Sequence, residues 1–102
     1  MTIDEYAKWV AGTAKPGASR NERLLFQVLA LLGEAGEAAD NVKNLIRDGT
    51  LDEDYLRYEL GDLLYYWTCL CCELGEAPAD MLARSRANVE TRIAERAAGL
   101  RK

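Results

Sequence analysis

The sequence predicts an all-α fold, a four-helix bundle with two long antiparallel central helices. Three observations carry that reading. Apolar residues recur at helical spacing through most of the chain, glycine and proline cut it into four segments with short connections, and no run alternates as a strand would. At 102 residues with 49% hydrophobic content, the chain can build one modest core, so residues 1–102 are expected to form a single domain.

The elements follow from their punctuation. Thr2 with Glu5 reads as a capping box opening a short first helix to about Ala14, where Lys15-Pro16-Gly17 breaks it. A second helix starts between Ser19 and Glu22. Its apolar positions run from Leu24 and Leu25 through Val28, Leu31 and Ala38 to Val42 and Ile46, and Asp48-Gly49 closes it. Thr50 with Glu53 is expected to cap the third helix, which stays apolar from Leu56 to Leu74 until Gly75. Pro78, tolerated in a first helical turn, opens a fourth helix with Met81, Leu82, Val89 and Ile93 as its inward residues. Only Lys15 to Arg20 and the last few residues are expected to be flexible.

Charge is unevenly placed. The net charge of -4 comes from 13 basic and 17 acidic residues, yet residues 81–102 carry Arg84, Arg86, Arg92, Arg96, Arg101 and Lys102 against only Glu90 and Glu95. Two readings of that basic end stand: a solvated last helix whose C-terminal dipole favours cations, or a surface for a phosphorylated substrate. Negative net charge without a basic stripe interleaved with aromatics argues against nucleic-acid binding. No stretch approaches a membrane span and the start lacks a signal-peptide pattern, so a cytoplasmic protein is expected. Cys69, Cys71 and Cys72, clustered in an apolar run of a chain without histidine, read as reduced core thiols rather than a zinc site or a disulfide framework.

Chemistry concentrates in two acidic pairs, Glu34-Ala-Gly-Glu37 and Glu59-Leu-Gly-Asp62. Each is spaced i, i+3, which puts two carboxylates on one helix face. Because the central helices are antiparallel neighbours across a short turn, the pairs can meet at one level as a four-carboxylate cup. Leu31, Ala38 and Leu45 share a stripe with Glu34, and Leu56, Leu60, Leu63 and Tyr66 surround Glu59 and Asp62. Buried like charges repel and lose hydration, so such a cup calls for a cation or for protons. Oxygen donors without histidine suit Mg²⁺ or Mn²⁺ and exclude the Glu-x-x-His di-iron arrangement. Magnesium is commonly shared with substrate phosphates, which points to chemistry on a phosphate ester or anhydride, and no P-loop is present.

With their settings Gly33-Glu-Ala-Gly-Glu-Ala-Ala-Asp and Tyr58-Glu-Leu-Gly-Asp-Leu-Leu-Tyr-Tyr-Trp, the two pairs resemble the MazG-like all-α nucleotide pyrophosphohydrolases, from about Tyr6 to Arg96. The resemblance implies a Mg²⁺-dependent enzyme converting a (d)NTP and water to a (d)NMP and pyrophosphate. It implies Glu34, Glu37, Glu59 and Asp62 as metal ligands, with Glu34 or Glu37 poising the nucleophilic water, and Lys43, Asn88 and Arg92 as phosphate contacts. Some relatives carry an additional Glu just before the first acid, where this chain has Gly33. It further implies a homodimer or homotetramer in which helices of neighbouring subunits complete the nucleotide pocket. A phosphoribosyl-ATP pyrophosphohydrolase and a non-catalytic nucleotide-binding regulatory module are the alternatives on the same plan. Plainer roles stand beside these: Lys43 can pair with Asp40, Arg92 can pair with Glu95 or lie in solvent, and Trp9, Trp67, Tyr65 and Tyr66 can serve the core or a subunit interface. The apolar third helix exceeds what so small a core needs, which favours an obligate oligomer.

Overall fold

A computed structural model describes residues 1–100, and Arg101 and Lys102 of the basic end lie outside the described residues. Four helices, α1 (Ile3–Ala11), α2 (Arg20–Asp48), α3 (Glu53–Glu73) and α4 (Pro78–Ala97), make the fold all-α, with no strand among the described residues.

The caps explain where each helix starts and stops. Thr2 and Glu5 form the capping box, each side chain accepting from the other's backbone N–H at 3.1 and 3.2 Å. α1 ends earlier than the Ala14 its sequence suggests, because Thr13 donates both its amide and its hydroxyl to the Val10 carbonyl and tightens the chain into a turn. Ser19 caps α2 through the Glu22 amide, and Gly49 closes it in the left-handed region at φ 77°, donating to the Leu45 carbonyl. The third cap differs from expectation. Asp52, not Thr50, accepts from the Tyr55 amide, since the Thr50 hydroxyl is already turned onto the Asp48 carboxylate at 2.5 Å. Pro78 opens α4 as expected.

α2 and α3 pack as the antiparallel central pair, and three contacts fix their register. Arg23 Nε meets Glu73 Oε1 at 2.5 Å near one end, Phe26 meets Tyr66 edge to face at 6.3 Å, and Asn41 clasps the Asp52 backbone at the other end. Glu34 is thereby brought level with Glu59 and Asp62. The small closed core lies where α1 crosses α3, around Ala7, Val10, Thr68, Cys69 and Cys71. Cys69, Cys71 and Cys72 are free thiols whose ionisation burial pushes up, as core packing requires.

α4 corrects an expectation. It touches α1 and the end of α3 but makes no contact with α2 among the described residues. Of its four expected inward residues, Met81 is half-buried, whereas Leu82, Val89 and Ile93 stay exposed, Ile93 at 59%. The helix leaves the core after one turn. The Cα radius of gyration is accordingly 16.8 Å, against the ~13 Å of a compact domain of this length. α2 also presents an outer apolar stripe of Leu25, Leu29 and Leu32, and α3 exposes Tyr58, Leu60 and Leu64, so the surplus apolar surface is shared among α2, α3 and α4.

Candidate functional site

The site grows from Glu59. Two turns into α3, on the face turned towards α2, it is fully buried at 0% exposure, and neither carboxylate oxygen has a hydrogen-bond partner of ordinary geometry. Glu34 faces it from α2, half-buried, with its own Oε2 buried and unpartnered. Asp62, one turn beyond Glu59, is half-buried beside them, and oxygens of Glu34, Glu59 and Asp62 lie within 4.8 Å of one another. Glu37 stands apart from this trio. It is exposed on the rim, yet Glu59 and Asp62 are near enough for their charge to raise its ionisation.

The electrostatics record the crowding. Glu34 is pushed up to about 7, first by a proton interaction with Glu59, then by burial and by the charges of Asp62 and Glu37. Glu59 is held below the ordinary carboxylate range by that same interaction. One proton retained between two carboxyls at near-neutral pH is what a cation-free cluster must adopt to stay buried. Tyr55, one turn before Glu59, faces the same carboxyl, and its phenol is pushed up to about 12 by it.

These residues fit a divalent cation. Orphaned buried oxygens on Glu34 and Glu59 lie beside a third carboxylate, all hard donors, and a site of this kind would recover in coordination what burial costs. Glu34, Glu59 and Asp62 could hold the ion, with Glu37 at the open side.

The remaining predicted residues are not gathered there. Lys43 lies in an open groove of about 640 Å³ that runs from Glu37 along α2 past Asn44 to Arg47, with Tyr55 on its other wall. It pairs with Asp40 at 3.7 Å, both side chains largely in solvent. Asn88 and Arg92 are exposed on α4, which packs on α1 and α3 and not on α2, the helix that carries Glu34 and Glu37.

Comparison with known proteins decides the family. Residues 24–89 match the MazG nucleotide pyrophosphohydrolase domain, a span that includes all four acids and most of the chain. The chain belongs to the MazG nucleotide pyrophosphohydrolase family. A relative, the Gene 37 protein of Mycobacterium phage L5, is 37% identical over 83 residues, covering 72% of this chain and 73% of that protein. No solved structure matches at a significant level.

Three features of this MazG chain escaped the sequence reading. Asn41 is buried, donates its amide to the Asp52 carbonyl at 2.8 Å and accepts from the Asp52 N–H at 3.4 Å, thereby fixing where α3 starts below the acids. Its signal was its place exactly two turns from Glu34 on an otherwise apolar stripe. Tyr55 could have been found as the residue one turn before Glu59. The Arg23 and Glu73 pair, fifty residues apart, carried no local signal. No helix of the described residues is long and apolar enough to cross a membrane.

Proposed function

We propose that this protein is a single-domain Mg²⁺-dependent nucleoside triphosphate pyrophosphohydrolase, converting a (d)NTP and water to a (d)NMP and pyrophosphate. One observation carries the reading: a fully buried Glu59 with both oxygens unpartnered, faced by Glu34 and Asp62, is stable chemistry only with a cation or a proton between the carboxylates. Mn²⁺ would satisfy the same donors. When bound, the ion supplies charge neutralisation on the phosphoryl oxygens and lowers the pKa of a nearby water.

The chain's own residues divide the remaining work. Glu34, Glu59 and Asp62 would hold the ion, and Glu34, whose ionisation is raised, would release its proton on binding it. Glu37, the exposed acid on the open side, orients the attacking water and accepts its proton on a carboxylate oxygen, with Glu34 completing the acidic wall behind it. Lys43, along the groove from Glu37, leaves its weak partner Asp40 to meet the phosphates.

Asn88 and Arg92 enter this reading through a second copy. The exposed Leu25, Leu29 and Leu32 stripe, the exposed Leu82, Val89 and Ile93 of α4, and the extended radius of gyration all support a homodimer or homotetramer in which α4 packs on a partner. Asn88 and Arg92 would then serve the partner's phosphates rather than their own.

The test is pyrophosphate release from the eight common NTPs and dNTPs and from phosphoribosyl-ATP, with Mg²⁺ and with chelator. Metal-dependent monophosphate from an ordinary nucleotide, lost in Glu37→Gln with helicity unchanged, is the expected result. Turnover of phosphoribosyl-ATP alone, nucleotide retention without turnover, or full activity in Glu37→Gln would each overturn it.

A further inference from the structure

A second cavity, of about 430 Å³, opens between the end of α1, the first turns of α2 and the last turns of α3. Phe26, Tyr65 and Tyr66 give it apolar walls, with Tyr66 edge to face against each of the other two at 6.3 and 5.2 Å. Two thiols, Cys69 and Cys72, line it as well. Cys71 does not, and is sealed into the core at 2% exposure. Cys72 is half-buried, its sulfur 3.8 Å from the Ala7 carbonyl oxygen.

Spacing sets what the pair can do. Cys69 and Cys72 stand i, i+3 on α3, so both sulfurs lie on one helix face with Cβ atoms about 5–6 Å apart. Their nearness shows in the ionisation of Cys69, which burial raises first and Cys72 raises further. A disulfide needs Cβ atoms about 3.5–4.5 Å apart, so an intact helix keeps the thiols free, as they are. An ion between the sulfurs, with a metal–sulfur bond of about 2.3 Å on each side, spans a gap that one sulfur–sulfur bond of about 2 Å does not.

The surroundings select the ion. Zinc takes four ligands, the chain has no histidine, and among the described residues the acidic trio is the one group of three or more cysteine and carboxylate donors close enough to share a metal. Soft thiolates favour copper(I), which two of them satisfy. Apolar walls that limit water suit an ion with little need of hydration. One positive charge on two thiolates leaves a net negative charge, which Lys15 on the same cavity wall offsets.

We propose that Cys69 and Cys72 form a two-coordinate site for a soft monovalent cation of the copper(I) class. Each thiol releases its proton to solvent as its sulfur binds, and the ion keeps its oxidation state, so no oxidant or reductant takes part. Cys69 lies seven residues beyond Asp62, about 10 Å along α3, so the site is separate from the carboxylates and does not rest on the nucleotide reading.

The test titrates copper(I) anaerobically into the full chain against bicinchoninate, a chromogenic chelator, with excess Mg²⁺ present to occupy the carboxylates. One ion per chain is expected. Copper(I) is diamagnetic, so NMR of the native chain can follow all three cysteines, and the Cβ signals of Cys69 and Cys72 should shift while that of Cys71 moves least. Cys69→Ser or Cys72→Ser should weaken uptake by at least about a hundredfold, and Cys71→Ala should leave it unaltered. If a variant does not fold, the Cβ shifts in the native chain decide. Uptake too weak to compete with the chelator, a shift centred on Cys71, uptake retained in either serine variant, or Zn²⁺ held as tightly as copper would overturn the assignment.

Discussion

The seam between α2 and α3 and the outer surface of α2 and α4 invert each other's chemistry. The seam buries carboxylates: Glu59 has no exposure and no hydrogen bond of ordinary geometry, and Glu34 beside it has its ionisation pushed up to about 7. The outer surface does the opposite and exposes Leu29 at 66% and Ile93 at 59%. Each is costly in an isolated protomer, the first by desolvation and like-charge repulsion, the second by apolar hydration. Both costs would be relieved by the additions proposed above, a cation in the seam and a second copy on the surface. The difference lies in what the rest of the protein does about it. Helix packing enforces the seam through Asn41 at one end and the Arg23 and Glu73 pair at the other, while α4 is held only near its start.

The largest expected effect separates stability from function within the seam. Glu59→Gln should reduce pyrophosphate release by at least about a thousandfold, since it removes the innermost charged donor, while the metal-free variant melts no lower than the native chain because a repulsive charge has gone. Calorimetry with and without Mg²⁺ checks this. The native chain should gain several degrees in Tm on metal addition and the variant little.

The outer surface should fail differently. Ile93→Asp or Leu29→Asp is expected to yield a protomer-sized species by light scattering, with activity falling as the assembly is lost. If α4 serves a partner's site, mixing inactive Glu37→Gln with inactive Arg92→Ala should restore about a quarter of native activity after random exchange into dimers, since only half of the mixed dimers' sites are intact. No recovery would place both residues in one chain's site, and an active Arg92→Ala on its own would leave Arg92 in solvent.

Asn41→Ala sharpens the contrast from the structural side. Leaving the Asp52 N–H unpaired, and its carbonyl with the Leu56 amide alone, should cost about 1–3 kcal/mol in denaturant unfolding and should loosen the start of α3. Metal affinity then falls along with stability, unlike in Glu59→Gln.

The smallest effect is the pH dependence of the metal-free chain. Glu34 titrates at about 7 in the fold against an ordinary value of 4.5, and Glu37 is also raised, so the folded state keeps a proton that the unfolded state has released. The Glu34 contribution is therefore fully present below about 4.5 and is lost as pH rises through about 7, whereas the lowered Glu59 contributes above its ordinary value and loses its contribution only as pH falls further. Tm without metal should fall between pH 5 and pH 8, while Mg²⁺ affinity should rise over the same range because binding displaces the proton.

Much of this was legible in the residues. Two i, i+3 acidic pairs on apolar stripes are a local pattern, and helical periodicity with a short turn suffices to bring Glu34 level with Glu59 and Asp62. Caps were legible where one side chain had one backbone partner, as at Thr2 and Ser19, and misread at Thr50, whose hydroxyl had a nearer acceptor in Asp48. The inward face of α4 was misread for a different reason. Periodicity states that a helix has an apolar side but not which surface covers it, and Leu82, Val89 and Ile93 face none in their own chain.

The sequence by itself determined the four helices, the acidic pairs and their hard-oxygen character, because those depend on spacings within a single turn or across one short connection. Only the tertiary structure decided that Glu59 is the buried centre while Glu37 stands on the rim, that Asn41 ties α2 to the start of α3, and that Arg23 pairs with Glu73 across fifty residues. Those outcomes depend on the distance and angle between helices, set by packing among residues tens of positions apart, which no local pattern encodes.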